Sequence, residues 1–135
     1  MITEDYTSYE VAKLLKDKGF DGICRAGYTS HGNLHVLEVK EYLTNQVCPD
    51  TYWACAAPTL QMARKWLREE KHFYIQIMLD SWALGSHSGY YIVIQDTNSD
   101  FEEISPRVNE EDTVFFSTYE EACEAALKYV LENLI

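Results

Sequence analysis

A chain of 135 residues that is 47% apolar can bury a core as one domain, and it is too rich in apolar side chains for a disordered segment. No apolar run is long enough to span a bilayer, and the acidic start Met1-Ile2-Thr3-Glu4-Asp5 lacks the pattern of a secretory signal, so the sequence predicts a cytoplasmic protein. The net charge of −11 is uneven: from Asp96 onward eleven acids stand against two bases, −9 over forty residues, which disfavours direct binding to nucleic acid or to an anionic membrane.

The first predicted helix runs from Ser8 to about Lys18. Thr7 and Glu10 have the spacing of a capping box, Val11, Leu14 and Leu15 share a face, and Gly19 supplies the stop. Two short strands follow, Ile23 to Tyr28 and Leu34 to Val39, joined as a hairpin by the turn-rich Thr29-Ser30-His31-Gly32-Asn33. Residues 40 to 56 carry little periodicity. A helical turn within Lys40–Asn45 and a turn at Cys48-Pro49-Asp50 are the readings they allow.

A second helix is expected to begin with Pro58 in its first turn, with Leu60, Ala63 and Leu67 as its apolar stripe, widened by Met62 and Trp66. Arg64, Lys65 and Arg68 fall on its polar side and form the densest basic cluster of the chain. A strand from Phe73 to Leu79 alternates, with Phe73, Ile75, Ile77 and Leu79 on one face and Tyr74, Gln76 and Met78 on the other. A loop from Ser81 to Gly89 then leads into Tyr90–Gln95, an antiparallel neighbour. Asn98 to Asp112 reads as an acidic loop, and Thr113–Phe116 as a last short strand. The final helix has two overlapping capping boxes, Ser117 with Glu120 and Thr118 with Glu121, and a stripe of Ala122, Ala126, Tyr129, Val130 and Leu134. The expected whole is a single α+β domain spanning 1–135, a mainly antiparallel sheet of four to five strands with three helices packed on one face.

Three segments together resemble a family of small uncharacterised proteins of phages and prophages of gut bacteria. They are Tyr9-Glu10-Val11-Ala12-Lys13-Leu14-Leu15-Lys16-Asp17-Lys18-Gly19-Phe20-Asp21, then Ala57-Pro58-Thr59-Leu60-Gln61 with Lys65-Trp66-Leu67-Arg68-Glu69, and Tyr119-Glu120-Glu121-Ala122 with Glu124-Ala125-Ala126-Leu127. The resemblance implies a genomic neighbourhood and no activity, ligand or catalytic residue.

No catalytic or cofactor motif stands out. His31 and His35 are four apart beside Cys24, without an evident fourth metal ligand, and read as surface histidines. Gly85-Ser86-His87-Ser88-Gly89 puts histidine where a nucleophile elbow needs serine, and it lacks a phosphate-loop lysine. Cys24, Cys48, Cys55 and Cys123 have irregular spacing and read as reduced thiols, with Cys123 inside a helical pattern. The expectation is a non-enzymatic protein without metal or cofactor that binds another protein. Tyr74, Trp82 and Tyr91 on an open sheet face are the candidate contact residues, beside Arg64, Lys65 and Arg68. Two other readings are an acidic nucleic-acid mimic that blocks a host DNA-binding protein and an enzyme of unrecognised type. An exposed strand edge would allow a homodimer.

Overall fold

The computed structural model describes residues 2–46, 51–84, 87–98, 102–104 and 114–135. Among them the chain runs α1 (Tyr9–Asp17), β1 (Ala26–Thr29), β2 (Leu34–Val36), β3 (Trp53–Ala56), α2 (Leu60–Glu70), β4 (Phe73–Leu84), β5 (His87–Asp96), β6 (Glu102–Ile104) and α3 (Tyr119–Asn133). This is the expected α+β class with antiparallel pairing throughout. The strands divide between two sheets, however, ordered β2-β1-β3 and β4-β5-β6, where one sheet was expected. The chain correspondingly forms two compact units, Met1–Ala63 and Arg64–Ile135.

In the first unit, α1 is capped by Ser8, whose hydroxyl accepts from the Val11 N–H (3.2 Å). The expected cap, Thr7, is fully buried instead, and both its N–H and its hydroxyl donate to the Pro58 carbonyl, at 2.9 and 3.0 Å. A buried threonine gains more by satisfying a distant carbonyl than by duplicating a cap its neighbour supplies. Gly19 ends the helix with φ of +94°, a left-handed value. Val11, Ala12 and Leu15 are the buried face, and Ala12 packs with Ala26, Tyr28, Cys55 and Ala57.

The β1–β2 hairpin forms as expected, with shorter strands, Gly32 in its turn (φ +82°) and Tyr28 opposite Leu34. Its third strand, β3, lies in the stretch without readable periodicity. The helical turn expected within Lys40–Asn45 is replaced by an isolated bridge, in which Cys24 and Leu43 exchange N–H···O bonds of 2.8 and 2.9 Å. Cys48-Pro49-Asp50 lies outside the described residues.

Helix α2 begins after Pro58, at Leu60. Thr59 is the cap, its hydroxyl accepting from the Met62 N–H (3.1 Å). Leu60, Ala63 and Leu67 are buried as the stripe predicts.

In the second unit, β4 and β5 pair from Phe73↔Asp96 through Asp80↔Gly89 and again at Leu84↔His87. The expected Ser81–Gly89 loop is therefore mostly strand, with a register shift between Asp80 and Leu84. Its Ser, Gly and His content suggests a turn, yet Ser81-Trp82-Ala83-Leu84 holds no residue that forbids extension. The expected strand at Thr113–Phe116 is reduced, among the described residues, to an isolated bridge in which Phe116 and Tyr90 exchange bonds of 2.7 and 2.9 Å. Helix α3 packs on β4 and β5 and is capped by Thr118, which accepts from the Glu121 N–H (3.1 Å). Its buried face is Ala122, Cys123, Ala126, Leu127, Val130 and Leu131. Tyr129 and Leu134, expected in that stripe, are only half-buried.

Candidate interaction surfaces

The first unit builds an aromatic group around a glycine. Gly27, in the central strand β1, lies opposite His35 of β2 and Ala56 of β3. A Cβ on Gly27 would stand 2.5 Å from Leu43 Cδ2 and 2.8 Å from Trp53 Cε3. The missing side chain thus lets the Trp53 ring lie across β1 and reach the residue that faces Gly27 from the other strand. His35 meets Trp53 edge-on, with centroids 5.6 Å apart, and Tyr52 meets Trp53 at 5.0 Å and 88°. His35 is exposed, as is Tyr52 (49%), while Trp53 is half-buried.

The edge strand β2 and the segment after it also expose apolar side chains, with Leu34 and Val36 on the sheet face opposite His35. All three residues of β2 are exposed, including Leu34 and Val36, because the helix packs over Tyr28 and Cys55 and leaves the edge strand uncovered. Val39 and Tyr42 are more exposed still, at 85% and 64%. Their segment is held in place: the Arg25 guanidinium donates to the carbonyls of Val39 (2.7 Å) and Glu41 (2.8 Å), and the Leu37 N–H donates to the Arg25 carbonyl (2.7 Å). Pinning reduces the ordering entropy that binding through Val39 and Tyr42 would cost.

The second unit holds the six residues singled out by sequence. Tyr74 is exposed and shares a face of β4 with Gln76 and Met78. Tyr91 is opposite Met78, hence on that same face, and is half-buried with its ring edge-on to Phe115 at 5.9 Å. Trp82 belongs to β4, and its side chain lies outside the described part of the structure. Lys65 and Arg68 are exposed on α2. Arg64 departs from the expected solvated cluster. It is half-buried and donates to the Tyr119 hydroxyl (2.7 Å) and to the Ile75 carbonyl (2.9 Å), while its Nε is buried without a partner. Two of its nitrogens are thereby used to tie α2 to β4 and to the start of α3.

The remaining chemistry-bearing residues do not build a recognisable site among the described residues. His31 sits exposed in the hairpin turn, and His35 belongs to the aromatic group. No group of three His, Cys, Asp or Glu side chains suited to a metal occurs among the described residues. Cys24, Cys55 and Cys123 are buried free thiols, and Cys48 is outside the described residues. Burial, reinforced by neighbouring Cys55, pushes the Cys24 thiol up to about 12. Burial likewise lifts Cys123 to about 11, against the lowering pull of Arg64. Both thiols are protonated at neutral pH, the opposite of an activated nucleophile. Most of the acidic Asn98–Asp112 stretch lies outside the described residues.

No helix among the described residues is long and apolar enough to cross a membrane. No family model, curated protein or solved structure matches the chain.

Proposed function

We propose that this chain is a non-catalytic binding protein that works by contact with another protein, and that it is an accessory protein of a phage or prophage. The second half of that reading rests on the three resembling segments. The first rests on one observation: the edge strand β2 and the pinned segment after it expose Leu34, Val36, Val39 and Tyr42, while His35 of the same strand joins Tyr52 and Trp53 in an aromatic group on the other face of the sheet. Exposed apolar side chains gathered along one strand edge point to an interaction site, and aromatic side chains are the common anchors of such sites. Cys24 and Cys123, buried and protonated at neutral pH, are poorly suited as nucleophiles.

The test is affinity capture from the native host with the wild-type chain beside Tyr52→Ser and Val39→Asp, both at exposed positions. A partner of the proposed surface is retained by the wild type and weakened about tenfold or more in each variant, the loss expected when an interface anchor worth over about 1.4 kcal/mol is removed. Identical captures by all three proteins would remove this surface from the function.

A further inference from the structure

We propose that two copies of this chain join edge to edge through β4, antiparallel, about a two-fold axis that passes at Met78. The inference concerns self-association through the second unit and stands apart from the partner surface of the first.

The hydrogen-bond alternation of β4 is fixed by bonds at three independent places. The Thr97 N–H donates to the His72 carbonyl (2.9 Å), so even-numbered residues from 72 to 80 turn their backbone groups toward β5. Tyr90, the partner of Leu79, exchanges its bonds with Phe116 on the far side of β5. The Ile75 carbonyl accepts from Arg64, as an outward-facing group would. Phe73, Ile75, Ile77 and Leu79 therefore point their N–H and C=O away from β5. Arg64 occupies the Ile75 carbonyl, and among the described residues no bond is recorded from the outward groups of Ile77 and Leu79.

Two outward residues separated by one residue are self-complementary. Placed against a second copy with Met78 opposite Met78, Ile77 of each chain faces Leu79 of the other, and each pair exchanges two N–H···O bonds. The side chains agree with this register. Leu79 is 59% exposed and would cover Ile77 of the second copy, while Met78, 39% exposed, would meet its own equivalent. Asp80 would face Gln76, so no two acids oppose.

Natural edge strands are blunted by lysine, proline or inward charges, and Phe73–Leu79 has none of these. In a chain of net charge −11 the seam about Met78 brings one acid from each copy, Asp80, into the pairing, and it meets the neutral Gln76. The other edge of the sheet, β6, carries two glutamates in three residues, so pairing closes at two copies rather than continuing.

Sedimentation velocity of the purified full chain over a concentration series tests the proposal, with Met78→Cys, Tyr74→Cys and Leu79→Lys as variants. The wild type moves from monomer to dimer as concentration rises. Added salt favours the dimer by screening two like charges, whereas association with a basic partner would weaken. Leu79→Lys, at an exposed site, stays monomeric with an unchanged circular dichroism spectrum. Met78→Cys forms a disulfide-linked dimer under mild oxidation, because its two copies meet at a closely spaced antiparallel pair, and Tyr74→Cys does not. A wild type that stays monomeric throughout, a dimer untouched by Leu79→Lys, or equal cross-linking of the two cysteine variants would overturn the proposal. Since no host partner is present, its failure leaves the partner-binding reading standing, and the reverse also holds.

Discussion

At the scale of single residues, the most consequential atom is one the chain lacks. Gly27 has no Cβ, and the space it would fill is taken by Leu43 and by the rigid ring of Trp53. Gly27→Ala must displace that ring, an overpacking that costs about 1–3 kcal/mol. The expected result is a lower midpoint in urea together with altered near-ultraviolet signal from the displaced aromatic group, and an unchanged midpoint would show that Leu43 and Trp53 yield freely. The buried thiols make a prediction of their own. The Cys24 and Cys123 pKa values lie above the ordinary value of 9.0 in the folded chain, so above about pH 9 the unfolded state loses these protons while the folded state keeps them. Their contribution is complete below that pH and is lost as the pH rises toward 11 to 12. Denaturant midpoints should fall between pH 9 and 11, and replacing both thiols by alanine should flatten that fall even if it lowers the midpoint at pH 8.

At the scale of elements, local chemistry decides where helices start; it was legible at Thr118, whose cap acts within its own turn, but not at Ser8 or Thr59, which cap α1 and α2 in the same way. Thr118 accepts from the Glu121 N–H as the spacing predicts, and Thr118→Ala should cost about 1 kcal/mol, read as a lower unfolding midpoint that Thr118→Ser restores. Thr7 has equally good spacing and is used otherwise, because its partner is Pro58, 51 residues away, and no local rule contains that contact. The same division separates the strands. Phe73–Leu79 and its neighbour were readable from alternation, and the β1–β2 hairpin from its turn. β3 was not, since Trp53-Ala54-Cys55-Ala56 is strand only because β1 lies beside it. The site divides likewise. Tyr74 on an open face follows from period-two counting. The His35–Tyr52–Trp53 group depends on strands brought together from far apart in sequence and on Gly27 between them, and residue type alone signals neither. Arg64 was misassigned for a related reason: helical spacing places it among Lys65 and Arg68, but the Ile75 carbonyl and the Tyr119 hydroxyl that hold it belong to elements the helix wheel does not include.

At the scale of the whole molecule, charge is the property that no local arrangement removes. With a net charge of −11, most of it carried after residue 95, compaction on folding raises the self-repulsion of the chain. The ion pair Lys128–Glu132 is exposed and long, at 3.7 Å, so it offsets little of this. Salt screens repulsion between exposed charges within roughly a Debye length, about 8 Å at physiological ionic strength, and the unfolded chain gains less from screening because its charges are already farther apart. Raising sodium chloride from very low to physiological levels should therefore stabilise the fold by on the order of 1 kcal/mol, a rise of a few degrees in Tm for a chain of this length. Calorimetry at fixed pH checks this, at a protein concentration low enough for the monomer to dominate, so that the separate effect of salt on pairing through β4 does not enter. A Tm that falls with salt would mean that attractive pairs, and not the surplus of acids, govern the folded chain. The same surplus would then be a poor guide to which partners it repels.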